Sequence, residues 1–80
     1  MKIEYTFHWI RQKRFRPDIT DDIIEFCVLN SEKLKDRKWE NAFNAITRIH
    51  PSGRLLKVVY REIYKQESKT IKIITAYWLD

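Results

Sequence analysis

The sequence predicts one α+β domain over residues 1–80, with an N-terminal strand, two helices, then a three- to four-stranded antiparallel sheet. Three observations carry this expectation. Residues 2–8 alternate apolar and polar side chains, residues 19–30 read as a capped helix, and the rest is a series of β-rich runs broken by turn residues.

Ile3, Tyr5 and Phe7 alternate with Lys2, Glu4, Thr6 and His8, which is the period of a strand with one buried face. The strand is expected to yield to a short helix from His8 to Phe15, closed by Pro17. The second helix has stronger punctuation. Thr20 is a good N-cap, Asp21 and Asp22 occupy the first turn where the helix dipole favours anions, Ile19 and Ile24 stand at hydrophobic-staple positions, and Asn30 suits the C-terminal end. Its apolar stripe is Ile23, Ile24, Cys27 and Val28, so Cys27 reads as a small buried hydrophobe rather than a nucleophile.

After Asn30 the pattern is that of a sheet. Lys33 to Trp39 is expected as an edge strand whose lysines discourage further pairing, and Ala42 to Ile49 as the next strand. His50-Pro51-Ser52-Gly53 is a tight turn, Leu55 to Tyr64 a β-rich run, Tyr64 to Lys69 a polar loop, and Thr70 to Trp78 a central strand. Strict alternation along that last strand puts Thr75 and Tyr77 on the face of Ile71 and Ile73, opposite Ile74, Ala76 and Trp78. A sheet of this kind would pack one face on the helices and leave the other, with its bases, for a ligand.

Composition narrows the function. A lone cysteine forms no intrachain disulfide, and Cys27, His8 and His50 are too few for a Cys/His metal cluster. The N-terminal residues lack the apolar core of a signal peptide and no apolar run approaches the ~20 residues of a spanning helix, so a cytoplasmic protein without membrane attachment is expected. The one glycine, Gly53, leaves no Gly-rich phosphate loop. The net charge of +5 is also segregated. Lys2, Arg11, Lys13, Arg14 and Arg16 face only Glu4 in residues 1–17, while residues 18–32 carry only acids. From Arg48 to Lys72 there are again seven bases, Arg61 among them, against Glu62 and Glu67. A basic arm and a basic C-terminal half suit a polyanion-binding face as well as a solvated, charge-rich surface.

The groups left for chemistry are His, Arg, Lys and Tyr, which suit phosphodiester chemistry without a metal or other cofactor. Cations neutralise the non-bridging oxygens and His or Tyr moves protons. His8 stands at the strand–helix junction, and a helix would put His8, Arg11, Gln12 and Phe15 on one face. Arg48 and Arg54 flank the turn at Pro51, so strand pairing would bring them together at one end of the sheet. A capping or surface histidine at His8 and a core tyrosine at Tyr77 are the plainer readings of those two residues.

The order and spacing of several segments resemble the RelE/ParE toxin-like superfamily, in particular a group of small domains of unassigned function within it. The segments are His8 with Arg11 and Arg14; Ile19-Thr20-Asp21-Asp22-Ile23; Gly53-Arg54-Leu55-Leu56-Lys57-Val58-Val59-Tyr60; and Ile71-Lys72-Ile73-Ile74-Thr75-Ala76-Tyr77. The resemblance spans nearly the whole chain. It implies a toxin of a type II toxin–antitoxin pair that cleaves RNA as a metal-independent endoribonuclease, an mRNA interferase, with an antitoxin protein as partner. It further implies His8, Arg54 and Tyr77 as catalytic groups and Arg11, Arg14, Arg48, Arg61 and Thr75 as substrate-binding groups. The chain departs from ribosome-dependent members in having no base after Lys72. Two other readings stand beside this one: a non-catalytic nucleic-acid-binding module, and a toxin-like domain acting on a protein such as gyrase.

Overall fold

The structure, a computed structural model, describes residues 2–80 and is an α+β fold. In chain order the elements are β1 (Lys2–Tyr5), α1 (Phe7–Gln12) continued by a 3-10 turn (Lys13–Phe15), α2 (Asp21–Leu29), β2 (Leu34–Lys35), β3 (Phe43–Ile49), β4 (Arg54–Lys65) and β5 (Ser68–Trp78).

The sheet has five strands in the order β1-β5-β4-β3-β2, and it is mixed rather than purely antiparallel with three or four strands. The difference lies in β1, which pairs parallel to β5 from Lys2 opposite Thr70 to Tyr5 opposite Ile73. Two helices between β1 and the other strands provide the long crossover that a parallel pair requires. The expected edge strand from Lys33 to Trp39 shrinks to Leu34–Lys35, because Asp36 turns the chain. Its carboxylate accepts from the backbone amides of Lys38 (3.0 Å) and Trp39 (2.6 Å).

Both helix starts follow from local chemistry. Thr6 caps α1 by accepting from the Trp9 amide, and Thr20 caps α2 by accepting from the Ile23 amide. The Phe7 side chain therefore belongs to a helix rather than to the first strand. The turn after β3 places Gly53 at φ +74, and the loop expected between Tyr64 and Lys69 is a two-residue hairpin, with Gln66 at φ 49 and Glu67 at φ 51.

One face of the sheet carries the main core. Trp9 from α1 and Ile24, Cys27 and Val28 from α2 pack with Ala45, Leu56, Val58, Tyr60, Ile71, Ile73 and Ala76. Cys27 behaves as a buried hydrophobe; its Sγ lies 3.4 Å from the Ala45 carbonyl oxygen, and burial pushes the thiol pKa up against an opposing hydrogen bond from Ser31. A smaller cluster of Ala42, Val59 and Ile74, with Trp39 and Tyr77 against it, covers part of the opposite face.

β5 changes faces in its middle. Val59 pairs with Thr75 but Tyr60 pairs with Ile73, so Ile74 is one residue in excess of the ladder. This β-bulge inverts the alternation beyond it. Ile71 and Ile73 point to the helices, as do Ala76 and Trp78, whereas Ile74 and Tyr77 pack on the opposite side. Strict alternation therefore misassigns Thr75 and Tyr77, which do not share the face of Ile71 and Ile73.

Candidate functional site

The bulge matters because it aims Thr75 and Tyr77 into a cleft of about 300 Å³ on the face away from the main core. The floor is formed by Lys57 and Val59 of β4 with Thr75 and Tyr77 of β5. One wall is His8, Gln12 and Arg16; the other is Asp36, Lys38 and Trp39.

The first wall stands where it does because β1 ends at Tyr5, leaving the outer edge of β5 unpaired from Ile74 onward. Side chains cover that edge in place of a strand. The Thr6 hydroxyl donates to the Ile74 carbonyl oxygen at 3.3 Å, and the Arg16 guanidinium donates to that of Ala76 at 3.1 Å. Arg16 also donates to the Gln12 carboxamide oxygen at 2.9 Å, and the Thr75 hydroxyl donates to the same oxygen. Gln12 thus ties the basic arm to the bulge. With its position set by three acceptors, the third being the Thr75 hydroxyl oxygen at 3.4 Å, Arg16 sits 6.0 Å from the centroid of the Tyr77 ring.

Lys57 is directly across from Tyr77 in the β4–β5 register, and its ammonium lies 5.6 Å from the same ring. Two cations therefore flank one tyrosine. On the second wall, burial raises the Asp36 pKa but is outweighed by the Trp39 amide, the Asn44 side chain, the Lys38 amide and the Lys57 charge, which together hold it below the usual carboxylate value. That ionised carboxylate fixes the turn carrying Trp39, whose ring meets His8 edge to face at 5.6 Å between centroids. His8 itself is exposed at the rim. Among the described residues no three His, Cys, Asp or Glu side chains gather into a group able to hold a metal, and no helix is long and apolar enough to cross a membrane.

Of the residues given a catalytic or substrate-binding role from the sequence, the cleft brings together His8, Thr75 and Tyr77. It does not bring in the others. Arg11 and Arg14 are exposed on α1 and the 3-10 turn, outside the cleft lining, and so is Phe15; of the expected face of His8, Arg11, Gln12 and Phe15, only His8 and Gln12 reach the cleft. Arg54 lies at the far end of β4, 3.5 Å from the Asp18 carboxylate and 4.4 Å from the Trp78 ring centroid. Arg48 and Arg54 are not side by side. Arg48 pairs with Leu55 and donates to the Gly53 carbonyl oxygen at 2.8 Å, whereas Arg54 pairs with the core residue Ile49 and so points to the other face. Arg61 and Lys72 are opposite one another, on the same face as Lys57 but beyond the cleft.

Sequence reasoning passed over Arg16, Lys57, Lys38 and Trp39. Lys57 carried a partial signal, since antiparallel pairing of the two long runs across a two-residue turn sets it within a residue of Tyr77, and the bulge then puts the two opposite each other. Arg16 carried none, because its role follows from where β1 stops. In comparisons with known proteins, no family model matches the chain, and no curated protein and no solved structure matches it either.

Proposed function

We propose that this cleft binds single-stranded RNA and cleaves it without a metal, and that the chain is the toxin of a toxin–antitoxin pair. The observation that carries the reading is the placement of Arg16 and Lys57 around Tyr77 with His8 on the adjoining wall. A hydrogen-bonded guanidinium on the wall and an ammonium on the floor suit a phosphate, and the aromatic ring near both offers a surface for a base or sugar. The bases beyond it on the same face, Arg48 at one end and Arg61 with Lys72 at the other, extend the track for a polyanion. The resemblance to RelE/ParE toxins supplies the toxin assignment, and the antitoxin is expected to lay an acidic or extended segment over this face.

In the reaction the ribose 2′-oxygen forms a bond to the adjacent phosphorus and the bond to the 5′-oxygen breaks. The products are a 2′,3′-cyclic phosphate and a 5′-hydroxyl. His8 carries the proton transfer, Arg16 and Lys57 stabilise the charge that builds on the non-bridging oxygens, and Thr75 and Tyr77 position the substrate or relay a proton. The test is incubation of the chain and its His8→Ala variant with labelled single-stranded RNA in EDTA, reading fragment ends. Cyclic-phosphate ends from the unmodified chain alone support the reading.

A second reading has one observation in its favour: among the described residues His8 is the only imidazole lining the cleft, so imidazole proton transfer there rests on a single exposed side chain. A binding module would retain the RNA intact, with affinity that falls steeply with salt and does not depend on His8.

A further inference from the structure

Away from the cleft, the two helices carry outward faces of opposite character. Phe7, Ile10, Arg11 and Arg14 recur at the spacing of one helical face on α1 and its 3-10 extension, and all four are exposed. Phe7 is 82% exposed, and Phe15 beside this face is 83% exposed, an unusual display for large aromatic side chains. On α2 the same spacing presents Asp22, Glu25, Phe26 and Leu29 away from the core, with Phe26 46% and Leu29 61% exposed. Each face has two apolar and two charged residues, and the charges are of opposite sign. None of the four charged groups makes an ion pair among the described residues.

A second observation supplies a receptor for an aromatic side chain. Beside the α2 face lies an apolar groove of about 250 Å³ formed by Ile23, Phe26, Ile49 and His50, with Asp22 on its rim. The described chain has no aromatic residue lodged there.

From this complementarity we infer that the chain associates with a second copy of itself, the α1 face of each copy seated on the α2 face of the other. Phe7 fills the groove between α2 and the end of β3, and Arg11 and Arg14 pair with Asp22 and Glu25. A two-fold arrangement makes this contact twice and leaves no complementary pair unsatisfied, whereas a single contact would leave one basic and one acidic face open to further copies. The cleft residues His8, Lys57 and Tyr77 are not part of this contact. The inference therefore stands or falls independently of the RNA-cleavage reading.

The experiment is sedimentation equilibrium of the full chain from low micromolar to near-millimolar concentration, at low and high salt. A monomer–dimer equilibrium that weakens with salt is expected, because the pairs are exposed at the rim. Two charge-reversed variants then test the pairing. Arg11→Glu with Arg14→Glu makes both faces acidic, Asp22→Arg with Glu25→Arg makes both basic, and each variant alone is expected to dimerise at least roughly tenfold more weakly. Mixed together, they are expected to recover a heterodimer, which no loss of folding produces. Phe7→Ser, at an exposed position, is a second check that leaves the charges intact and is expected to weaken the dimer as well. A chain that stays monomeric throughout the series overturns the proposal and leaves the two faces for other proteins. A dimer indifferent to Phe7→Ser and to both charge reversals, or reversed variants that fold but do not recover association when mixed, overturns it as well.

Discussion

The Thr75 hydroxyl donates a hydrogen bond to the Gln12 carboxamide oxygen, joining residues 63 positions apart across the boundary between helix and sheet. The same oxygen holds Arg16 at 2.9 Å, so one neutral acceptor orders both a β-bulge and a cation of the cleft. Replacing Gln12 by Leu removes the acceptor and leaves two donors short of a partner. A stability loss of about 1–2 kcal/mol and a clear loss of RNA affinity are expected, measured by denaturant titration and a binding isotherm. Gln12→Glu separates the two effects. It keeps the acceptor and the fold but adds a negative charge at the phosphate position, so RNA affinity is expected to fall while stability holds.

Lys57 and Arg54 make opposite claims on the substrate. Lys57→Ala is expected to weaken RNA binding about equally for all sequences and to lower the slope of log affinity against log salt by about one, the signature of one lost phosphate contact. Arg54→Ala, whose guanidinium is engaged with Asp18 and Trp78, is expected to have the smaller effect on that slope. Equal slopes for the two variants would move the phosphate site away from the cleft floor.

The β4–β5 hairpin stores local strain. Gln66 and Glu67 both adopt positive φ, 49° and 51°, as a type I′ turn demands, yet neither residue favours that region. Gln66→Asn with Glu67→Gly supplies the preferred pair for this geometry. The double variant is expected to be more stable by about 1 kcal/mol, read as a rise in the denaturation midpoint at unchanged slope.

Tyr5 and Glu62 act at opposite ends of the pH range. Burial, with smaller contributions from the charges of Asp21, Glu25 and Asp22, pushes the Tyr5 pKa up from 10.0 to about 12. The neutral phenol is the form the folded state favours, so its contribution is complete below pH 10 and disappears as pH rises toward 12. Tyr5→Phe is expected to flatten that alkaline limb, leaving the part due to Tyr60, whose pKa burial also raises. At the acid end, burial works against the Glu62 carboxylate, but hydrogen bonds from Lys33 at 2.8 Å and Lys69 at 3.1 Å win and hold its pKa below 4.5. Its contribution is present above that value and is lost as pH falls through the depressed one. Glu62→Gln is expected to remove that part of the acid limb and leave the part due to Asp36, as followed by circular dichroism across pH.

Features under local chemical control were legible along the chain. The Thr20 cap, the first-turn acids, the Asn30 end of α2, the turn at Gly53, and the burial of Cys27 follow from interactions within a few residues, and the structure reproduces them. The long runs around Val58 and Ile73 likewise show as strands, since their β-branched side chains recur over enough residues to set the period. The remaining features arise from long-range pairing. Nothing local states that β1 joins β5 in parallel, because that pairing closes over nearly the whole chain and is selected by burial in the common core. Nor does alternation reveal that Ile74 is a bulge, since the extra residue is defined only against Val59 and Tyr60 on the neighbouring strand. The candidate site depends on both. The end of β1 frees an edge for Arg16, and the bulge turns Thr75 and Tyr77 to meet Lys57, so the cleft is made by register, a property of paired strands rather than of any one of them.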